Sequence, residues 1–588
     1  MPTSPSPQRL DRSRELARRT PSLSELLIES EAAAASASWR GLRRLWTGFT
    51  LPEPVSFAFT VSFLWAAFYN TQFWRLTVAA MWHGAGSVGF LATLILVVVT
   101  VQATLLLLLP SRWLKVVIGC LFIVAAASSY FCSEYGAILN QDMLRNVVET
   151  DAAEVRGLVT ADFMAHLLVL GVLPALIVFR GRTPASGWKT QLKRRGAVLA
   201  IAWACVVVGL FATSANYAVF FRQHKPIRYT LVPVAPLSST IALVGSSFRH
   251  SHEGPLLDPG GAVQRVGVAA TSSRPLLVFL VVGETARAKN FQLGGYDRAT
   301  NPHLKEIPGL VYFDQATSCG TSTAVSVPCM FSAFGREHFN VGKSDAYLNL
   351  LDTLAGAGVD VEWRDNNAGC KGVCSRTPSV QYGPSTQSAY CVNSYCFDEV
   401  MLEDLAQRVD AVRRDTVIVF HQIGSHGPAY SERYPPAFEI FKPVCRSSEL
   451  QRCTVEEVRN AYDNSIAYTD YVLSRQIEIL SQASDRFDTL LLYASDHGES
   501  LGELGVYLHG MPYAFAPEDQ KRVPLLVWTS PGFRKRMGVD DRCLHNRSHQ
   551  VVSHDNLYHT LLSVAGLSNQ VYDPKLDLLQ ACRSVAAL

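Results

Sequence analysis

The chain has 588 residues, of which 48% are apolar and 18% are charged, and its formal net charge is +3. This length exceeds one ordinary domain, and the small net charge without a basic stretch interleaved with aromatic residues argues against a nucleic-acid partner. The apolar excess is concentrated before residue 222, so we expect a membrane part followed by a soluble part.

Residues 1–50 form a basic segment with eight arginines and many Ala and Ser residues. A polar segment that is poor in large apolar residues cannot bury a core, and positive charge favours the cytoplasmic side of a membrane. We therefore expect a largely disordered cytoplasmic tail. A short helix that starts at Ser22 and lies on the inner membrane face is the alternative.

Residues 51–222 contain five stretches that lack Asp, Glu, Lys and Arg over about 20 residues, the length of a bilayer crossing. They lie at residues 54–74, 84–109, 116–133, 163–179 and 196–221. We expect five transmembrane helices, although the fourth stretch is short enough to form a buried core helix instead.

The charges in the links between these stretches predict the orientation of the chain. The tail and the links after the second and fourth stretches are basic, whereas the link after the third is mostly acidic. Because basic links stay in the cytoplasm, five crossings place everything after residue 222 outside it. Ten of the thirteen cysteines follow residue 318, which agrees with an oxidising compartment.

Two further segments flank the last crossings. The acidic link at residues 134–162 carries apolar residues at helical spacing, which predicts a surface helix on the outer membrane face. Residues 223–274 are punctuated by Gly, Pro, Ser and His, and we expect a linker there.

Residues 275–588 show short apolar runs that alternate with helical periods, which predicts an α/β domain whose mostly parallel sheet is flanked by helices. The predicted strands are Leu276–Val282, Leu310–Phe313, Val359–Arg364, Thr416–His421, Thr489–Ala494 and Val523–Thr529. We expect this domain to carry the chemistry.

Polar side chains follow five of these strands, and ligands of such sheets bind beyond the carboxyl ends of the strands. The residues are Glu284, Thr323, Asn367, His426 and the pair Asp496 and His497. Each has a commoner structural explanation when it is taken alone, such as helix capping for the glutamate. Their occurrence together at strand ends predicts a functional site.

The predicted site contains side chains that suit a metal ion. Glu284, Asp496 and His497 offer oxygen and nitrogen ligands for a zinc-like ion, and Thr323 could be the fourth ligand. A hydroxyl that is bound to zinc loses its proton more easily. Thr323 is therefore the candidate nucleophile.

Ten cysteines in the soluble part suggest disulfides, although sequence alone does not fix their pairing. Short spacings suggest Cys319–Cys329, Cys370–Cys374, Cys391–Cys396 and Cys445–Cys453, which leaves Cys543–Cys582. The first pair brackets Thr323, so we expect it to hold the nucleophile rigidly.

The motifs of the chain resemble a known family over roughly residues 50–588. They are Val-Gly-Glu-Thr-Ala-Arg at 282–287, Ser-Cys-Gly-Thr-Ser-Thr-Ala-Val-Ser-Val-Pro-Cys-Met-Phe-Ser at 318–332, Gly-Ser-His-Gly-Pro at 424–428, Asn-Ala-Tyr-Asp-Asn-Ser at 460–465 and Ser-Asp-His-Gly-Glu-Ser at 495–500. The chain resembles the phosphoethanolamine transferases that modify lipid A, including the mobile colistin-resistance enzymes, in the alkaline phosphatase and sulfatase superfamily.

This resemblance implies an alkaline phosphatase-like fold and a set of residue roles. It implies zinc on Glu284, Thr323, Asp496 and His497, with Thr323 as the residue that becomes phosphoethanolaminated. By motif match, the residues that contact the phosphoethanolamine group are Asn367, Lys371, His426 and His509. The two histidines could also serve as catalytic acid, base or second-metal ligands.

The resemblance also implies the partners and the location. Phosphatidylethanolamine is the expected donor and lipid A the expected acceptor, at the periplasmic face of a bacterial inner membrane. We expect a monomer, and we expect the added amine to weaken binding of cationic peptides such as polymyxin.

Two other functions remain open at this point. The chain could transfer phosphoethanolamine to a core sugar of lipopolysaccharide or to a periplasmic glucan, or it could be a membrane lipid-binding protein without catalysis. A sulfatase usually needs a modified Cys or Ser as nucleophile, so Thr323 argues against that activity.

Overall fold

The computed structural model describes residues 50–584 apart from residues 83, 85–86, 151, 185–186, 251–254, 267–273 and 393–394. The predicted cytoplasmic tail thus lies outside the described residues, except for Thr50, which pairs with Arg182.

Ten helices form the first part among the described residues. They are α1 (Pro54–Phe68), α2 (Thr71–Met81), α3 (Ser87–Leu107), α4 (Ser111–Glu134), α5 (Gln141–Glu149), α6 (Ala152–Leu158), α7 (Ala161–Arg180), α8 (Trp188–Ala212), α9 (Ser214–Gln223) and α10 (Val234–His250). Helices α3, α4, α7 and α8 are long and apolar enough to cross a membrane. The first part is therefore a multi-helix membrane domain.

The first predicted crossing differs from the other four in length. It coincides with α1, which has only 15 residues. At 1.5 Å per residue this helix is about 22 Å long, less than the ~30 Å hydrocarbon core. Helix α1 packs against α3, and Trp65 and Phe122 meet edge to face in its core. Packing against the longer helices therefore fixes the position of α1 in the bundle.

The acidic link does not form the single surface helix that the apolar spacing predicts. Helix α5 begins where the Asn140 side chain accepts a hydrogen bond from the Met143 amide at 3.0 Å, and it ends at Glu149, which the extended Thr150 follows. Helix α6 begins at Ala152. The extended residue breaks the helical hydrogen bonds, so the link contains two short helices.

The predicted linker at 223–274 is largely helical in its first half. A 3₁₀ helix at Lys225–Thr230 is followed by the 17-residue α10. Asn70 holds this entry to the bundle, since its amide donates to the Val232 carbonyl and accepts from the Val232 amide, both at 2.8 Å. The prediction missed α10 because its helical order depends on packing against α5 and Val341–Ala346.

The second part contains fifteen short and long strands within the described residues. They are β1 (Gln264–Arg265), β2 (Leu276–Gly283), β3 (Leu310–Phe313), β4 (Ala316–Thr317), β5 (Asp360–Asp365), β6 (Ser379–Gln381), β7 (Cys391–Val392), β8 (Tyr395–Cys396), β9 (Thr416–His421), β10 (Asp488–Ser495), β11 (Ser500–Leu501), β12 (Tyr507–Leu508), β13 (Leu525–Thr529), β14 (Val552–Ser553) and β15 (Leu567–Ser568). Seven of them form one sheet in the order β3-β13-β10-β2-β9-β5-β6.

The sheet is mixed. Strands β10, β2, β9, β5 and β6 pair in parallel, whereas β13 runs antiparallel to both β10 and β3. All six predicted strands exist, and the expectation of a mostly parallel sheet holds for its centre. The parallel centre is what matters for the site, because it brings the carboxyl ends of neighbouring strands to one edge.

Helices cover both faces of this sheet. They are α11 (Thr323–Met330), α12 (Gly335–His338), α13 (Leu350–Gly356), α14 (Leu405–Asp410), α15 (Val455–Gln482), α16 (Glu518–Lys521), α17 (Pro531–Met537), α18 (Asp541–Arg547) and α19 (Asp555–Val564). Alternate residues of the fully buried β2 enter two different cores, with Val278 on one face and Phe279 on the other. Such double-sided burial explains why the strand has no polar positions.

The two parts touch close to the strand ends. The Tyr507 amide donates to the Tyr135 carbonyl at 3.2 Å, and Gln451 donates to the Glu134 carbonyl at 3.0 Å. The Lys371 ammonium donates to the Glu149 carbonyl at the end of α5, at 3.2 Å. One end of the membrane domain therefore lies against the edge of the sheet that carries the polar residues.

Candidate active site

The ends of β2 and β10 place three metal-type side chains together. Their register pairs Gly283 with Ser495, so Glu284 and Asp496 leave the sheet side by side. His497 Nε2 lies 3.3 Å from Glu284 Oε1 and 3.3 Å from Asp496 Oδ2. All three residues are completely buried. The strand register therefore brings these predicted ligands into one cluster.

Thr323 joins this cluster from the other side. It is the first residue of α11, and its hydroxyl donates to Glu284 Oε2 at 3.1 Å and lies 3.3 Å from His497 Nε2. The amino-terminal end of a helix favours negative charge, which stabilises a deprotonated hydroxyl at this position. Thr323 itself is buried, with 6% of its surface exposed.

Asn367 follows β5 and contacts the same glutamate. Its amide nitrogen donates to Glu284 Oε2 at 2.8 Å and to the Gln422 carbonyl at 2.9 Å. The backbone amide of Asn367 in turn donates to Asp365. The structure thus places Asn367 beside Glu284, where it holds the carboxylate that accepts from Thr323.

His426 and His509 form a second cluster around Glu284. One ligand-type atom from each of these three residues lies within 4.8 Å of the others. The loop that carries His426 passes so close to Glu284 that a Cβ at Gly424 would lie only 2.7 Å from the Glu284 carbonyl oxygen. Gly424 also has a φ of +49°, which glycine adopts without strain. Only glycine fits at this close approach.

Glu499 is a site residue that the sequence analysis did not single out. It is completely buried, and its Oε2 lies 3.2 Å from His509 Nδ1. Burial raises the pKa of this carboxyl well above its usual range. The available signal was its position two residues after His497 in the motif at 495–500, but a glutamate in a loop is usually exposed.

Lys371 lies apart from these clusters. It sits between Cys370 and Cys374, and its ammonium donates to the carbonyls of Glu149 and Ala368 at 3.2 and 3.0 Å. No hydrogen bond in the described part of the chain joins this ammonium to the carboxylates of the metal-type cluster. The structure therefore places Lys371 between the sheet edge and α5.

His421 and Asp365 support the site from below and were also missed. His421 Nδ1 lies 3.1 Å from Asp365 Oδ2, and its Nε2 lies 3.3 Å from the amide nitrogen of Asn367. Burial lowers the pKa of His421, but Asp365 outweighs this effect, so the pKa is raised. Both residues contact Asn367 and thereby hold it in position.

The charges of Glu284, Asp496 and His497 shift one another's pKa values. Burial and the neighbouring Glu284 raise the pKa of Asp496 to about 7. Burial acts to lower the pKa of His497, but Asp496 and Glu284 outweigh it and raise the pKa to about 10. Two buried carboxylates this close together are costly unless positive charge compensates them.

The donor set of this cluster fits a divalent cation. Asp496 Oδ2 is buried and has no hydrogen-bond partner among the described residues, and the same is true of Glu499 Oε1. Orphaned buried oxygens of this kind are rare without an ion or water. Two carboxylates, one imidazole and one hydroxyl are ligands that zinc accepts.

His554 ties the segment that precedes Thr323 to the end of β10. Its Nδ1 accepts from the Cys319 amide at 3.0 Å, and its Nε2 donates to the Ser495 carbonyl at 2.9 Å. Burial lowers the pKa of His554 to about 3, so the ring is neutral at physiological pH. This single side chain bridges the two segments that carry Thr323 and Asp496.

We expect His554→Ala to lower both stability and turnover. The loss leaves the Cys319 amide without an acceptor and opens a cavity, which costs about 2–4 kcal/mol. His559→Ala is the matched control, because this buried histidine accepts from the Asp573 amide at 3.1 Å, away from the site. The midpoint temperature of thermal unfolding should fall in both variants, but kcat should fall only in His554→Ala. Equal kcat in the two folded variants would contradict the bridging role.

All five predicted disulfides are present in the structure: Cys319–Cys329, Cys370–Cys374, Cys391–Cys396, Cys445–Cys453 and Cys543–Cys582. The free cysteines of the described chain are Cys120, Cys132 and Cys205, all in membrane helices. The first disulfide joins the residue before the nucleophile turn to α11, so it closes around Thr323.

Cys319→Ser should lower activity more than Cys445→Ser. The two disulfides close loops of similar length, with separations of 10 and 8 residues, so either loss costs about 2.5 kcal/mol in the chain-entropy account. Only the first loop holds Thr323. Steady-state kinetics of the purified variants measures the difference, and equal activity would show that the first disulfide does not position the nucleophile.

The fold and the site agree with two family matches. Residues 277–567 match the sulfatase family, and residues 95–248 match the family of phosphoethanolamine transferases EptA/EptB. The class is therefore a membrane enzyme whose catalytic domain is built like those of the alkaline phosphatase and sulfatase superfamily.

Full-length relatives give the family. Phosphoethanolamine transferase EptA of Escherichia coli K12 is 41% identical over 481 residues, which cover 81% of this chain and 87% of that protein. Phosphatidylethanolamine transferase Mcr-1 of Escherichia coli is 40% identical over 491 residues, which cover 82% and 89%. The solved integral membrane protein lipooligosaccharide phosphoethanolamine transferase A of Neisseria meningitidis has a TM-score of 0.86 at 34% identity, covering 91% of this chain and 100% of that chain.

The chain belongs to the phosphoethanolamine transferase family. This membership confirms the resemblance that the sequence motifs indicate. It also confirms the prediction that the protein is an enzyme that transfers phosphoethanolamine.

Proposed function

We propose that this enzyme transfers phosphoethanolamine from phosphatidylethanolamine to a phosphate of lipid A through a covalent intermediate on Thr323. The observation that carries the proposal is the position of the Thr323 hydroxyl, 3.1 Å from Glu284 Oε2 and 3.3 Å from His497 Nε2. A serine or threonine hydroxyl becomes a useful nucleophile when adjacent groups remove its proton.

Zinc is the proposed cofactor, held by Glu284, Thr323, Asp496 and His497. When bound, it supplies a Lewis acid that lowers the pKa of the threonine hydroxyl and offsets charge on the transferring group. The support for this proposal is the orphaned Asp496 Oδ2 within a cluster of two carboxylates and one histidine.

In the first step, Thr323 Oγ1 forms a bond to the phosphorus of phosphatidylethanolamine. The bond between phosphorus and the diacylglycerol oxygen breaks, and diacylglycerol leaves. The Thr323 proton departs towards Glu284 Oε2, which accepts its hydrogen bond in the structure. His426 or His509 donates one proton to the departing diacylglycerol oxygen. Proton loss and proton gain therefore balance.

In the second step, a phosphate oxygen of lipid A attacks the phosphorus that is bound to Thr323. A bond between the two phosphates forms, and the bond to Thr323 Oγ1 breaks. The threonine recovers its proton from Glu284 Oε2, and the histidine regains the proton that the attacking phosphate monoester loses. Asn367 and Lys371 are the proposed contacts to the phosphoethanolamine group, since an ammonium and an amide both donate to phosphate oxygens. The Asn367 amide nitrogen already donates to Glu284 Oε2, so a phosphate oxygen would share this donor with Glu284.

The membrane domain places this reaction at a lipid surface. We propose five crossings, with α1 as the fifth apolar helix beside the four longer ones. An odd number of crossings with a cytoplasmic amino terminus puts the catalytic domain in the periplasm. Both proposed substrates are amphiphiles of the inner membrane, and the residues of the site all come from one chain, so a monomer suffices.

Mass spectrometry of lipid A tests this function. Cells that express the chain should add one phosphoethanolamine to lipid A and become more resistant to polymyxin, because the added amine reduces negative charge. Cells that express Thr323→Ala at the same level should show neither change. Modification of a core sugar or of a glucan with unmodified lipid A would contradict the proposed acceptor but not the transferase activity.

A further inference from the structure

Two adjoining cavities lie beside α11 in the catalytic domain. A cavity of about 340 Å³ is lined by Ala324, which follows Thr323 in the sequence, and by Lys371 and Gly372. A second cavity of about 350 Å³ shares Lys371 and Gly372 and continues to Arg376. Each volume lies in the range of small-molecule sites. We call the two cavities together the side groove.

The wall of the side groove changes character along its length. The cavity that Ala324 lines is bounded on one side by the membrane domain, through Arg145 and Glu149 of α5. Farther out the lining is aromatic, with the half-buried rings of Phe334, Phe339 and Tyr347. Large flat apolar faces between polar groups suit a ring-shaped ligand better than a short, flexible ethanolamine group.

The cations of the side groove leave one ammonium available. Arg376 is held by Asp352 through two hydrogen bonds, at 2.8 and 2.6 Å. Arg145 lies 3.9 Å from Glu149. The exposed Lys343 ammonium has neither a hydrogen bond nor an ion pair with any described residue. An unpaired lysine beside aromatic rings is suited to a phosphate on a sugar.

Helix α10 flanks the side groove and carries an exposed apolar face. It packs against both α5 and Val341–Ala346, the segment that contains Lys343. Among residues 234–245 of this helix, the exposed large apolar ones are Leu237, Ile241 and Val244, at 36%, 72% and 47% exposure. Their spacing puts them on one face of the helix. A lipid whose acyl chains lie along this face can place its head group in the side groove.

We infer that the side groove binds the acceptor, a phosphorylated and acylated sugar, with its sugar rings on Phe334, Phe339 and Tyr347 and a phosphate on Lys343. This inference rests on the proposed function, because it assigns the second substrate of that reaction. The donor head group is a short ethanolamine phosphate without rings, whereas the acceptor has rings and a second phosphate that the outer part of the groove accommodates.

The test separates the two half-reactions of the full-length protein in detergent. Phosphatidylethanolamine alone reports the first half-reaction, as diacylglycerol release and labelling of Thr323. Purified lipid A, added afterwards, reports the second. The variants are Lys343→Glu and, as an independent probe of the aromatic wall, Phe339→Ala. Lys305→Glu is the matched control, since Lys305 is also exposed on a 3₁₀ helix of the same domain but does not line the groove.

We expect both groove variants to transfer to lipid A about tenfold more slowly at low lipid A concentration, with a higher half-saturating concentration of lipid A. Their first half-reaction should match that of Lys305→Glu. Parallel loss of both half-reactions would assign the groove to the donor, and unchanged transfer would remove it from substrate binding; either result overturns the inference. Failure of the unaltered protein to label Thr323 or to modify lipid A would instead overturn the proposed function, and this assignment with it.

Discussion

Thr323→Ala should abolish transfer to lipid A while the protein remains folded. Removal of a covalent nucleophile typically costs about 10⁴-fold or more in kcat, and the alanine at this helix start loses only one hydroxyl. Thr321→Ala is the matched control, since its hydroxyl lies in the same turn and donates to the Met511 carbonyl at 2.5 Å. Transfer rates of the purified variants measure the difference.

Thr323→Ser refines this expectation. Serine supplies the same oxygen at the start of α11, so the variant should retain measurable transfer. The rate should be lower, because the serine Cβ lacks the methyl group that restricts the threonine rotamers. If Thr323→Ala transfers at the rate of Thr321→Ala, then the reaction does not pass through this hydroxyl.

Asp496→Asn should abolish both binding of the proposed zinc ion and activity. Outer partners of metal ligands typically control affinity by about 10–100-fold, so loss of a carboxylate that binds the ion directly should exceed that range. The measurement is the zinc content of the purified protein by elemental mass spectrometry, with activity assayed on the same sample. Removal of zinc by a chelator should likewise stop transfer by the unaltered protein, and added zinc should restore it.

Asp470→Asn is the matched control for this loss of charge. Asp470 is also completely buried, in α15, and it accepts from the backbone amides of His303 and Leu304. Burial raises the pKa of Asp470 to about 7, so an amide resembles its protonated form. This variant should keep its zinc. Full zinc content in Asp496→Asn would contradict the proposed ligand set.

The central part of the site could be predicted because it depends on short-range sequence features. Apolar runs give strands, and Glu284, Asn367 and the pair Asp496 and His497 follow them directly. Parallel neighbours then bring these ends to one edge whatever the details of packing. The disulfide around Thr323 also follows from short spacing, since a loop of 10 residues closes at low entropic cost.

The supporting residues depend on contacts that no local pattern specifies. His554 reaches the Cys319 amide across 235 residues of sequence, and Glu499 is buried only because the loop after β10 folds back onto His509. The Gly, Pro, Ser and His residues of 223–274 predict a linker, whereas the order of helix α10 comes from packing against α5 and the distant segment Val341–Ala346. Lys371 was matched by motif, but its ammonium meets α5, a contact between two domains.

The covalent intermediate is the central claim, and peptide mass spectrometry tests it most directly. The full-length protein is incubated with phosphatidylethanolamine and without acceptor, then digested. We predict that the peptide containing Thr323 gains one phosphoethanolamine, with one diacylglycerol released per modified chain. Lipid A added before digestion should remove the label. Diacylglycerol release that occurs only with lipid A present, with Thr323 never modified, would contradict the account and indicate direct transfer between the two lipids.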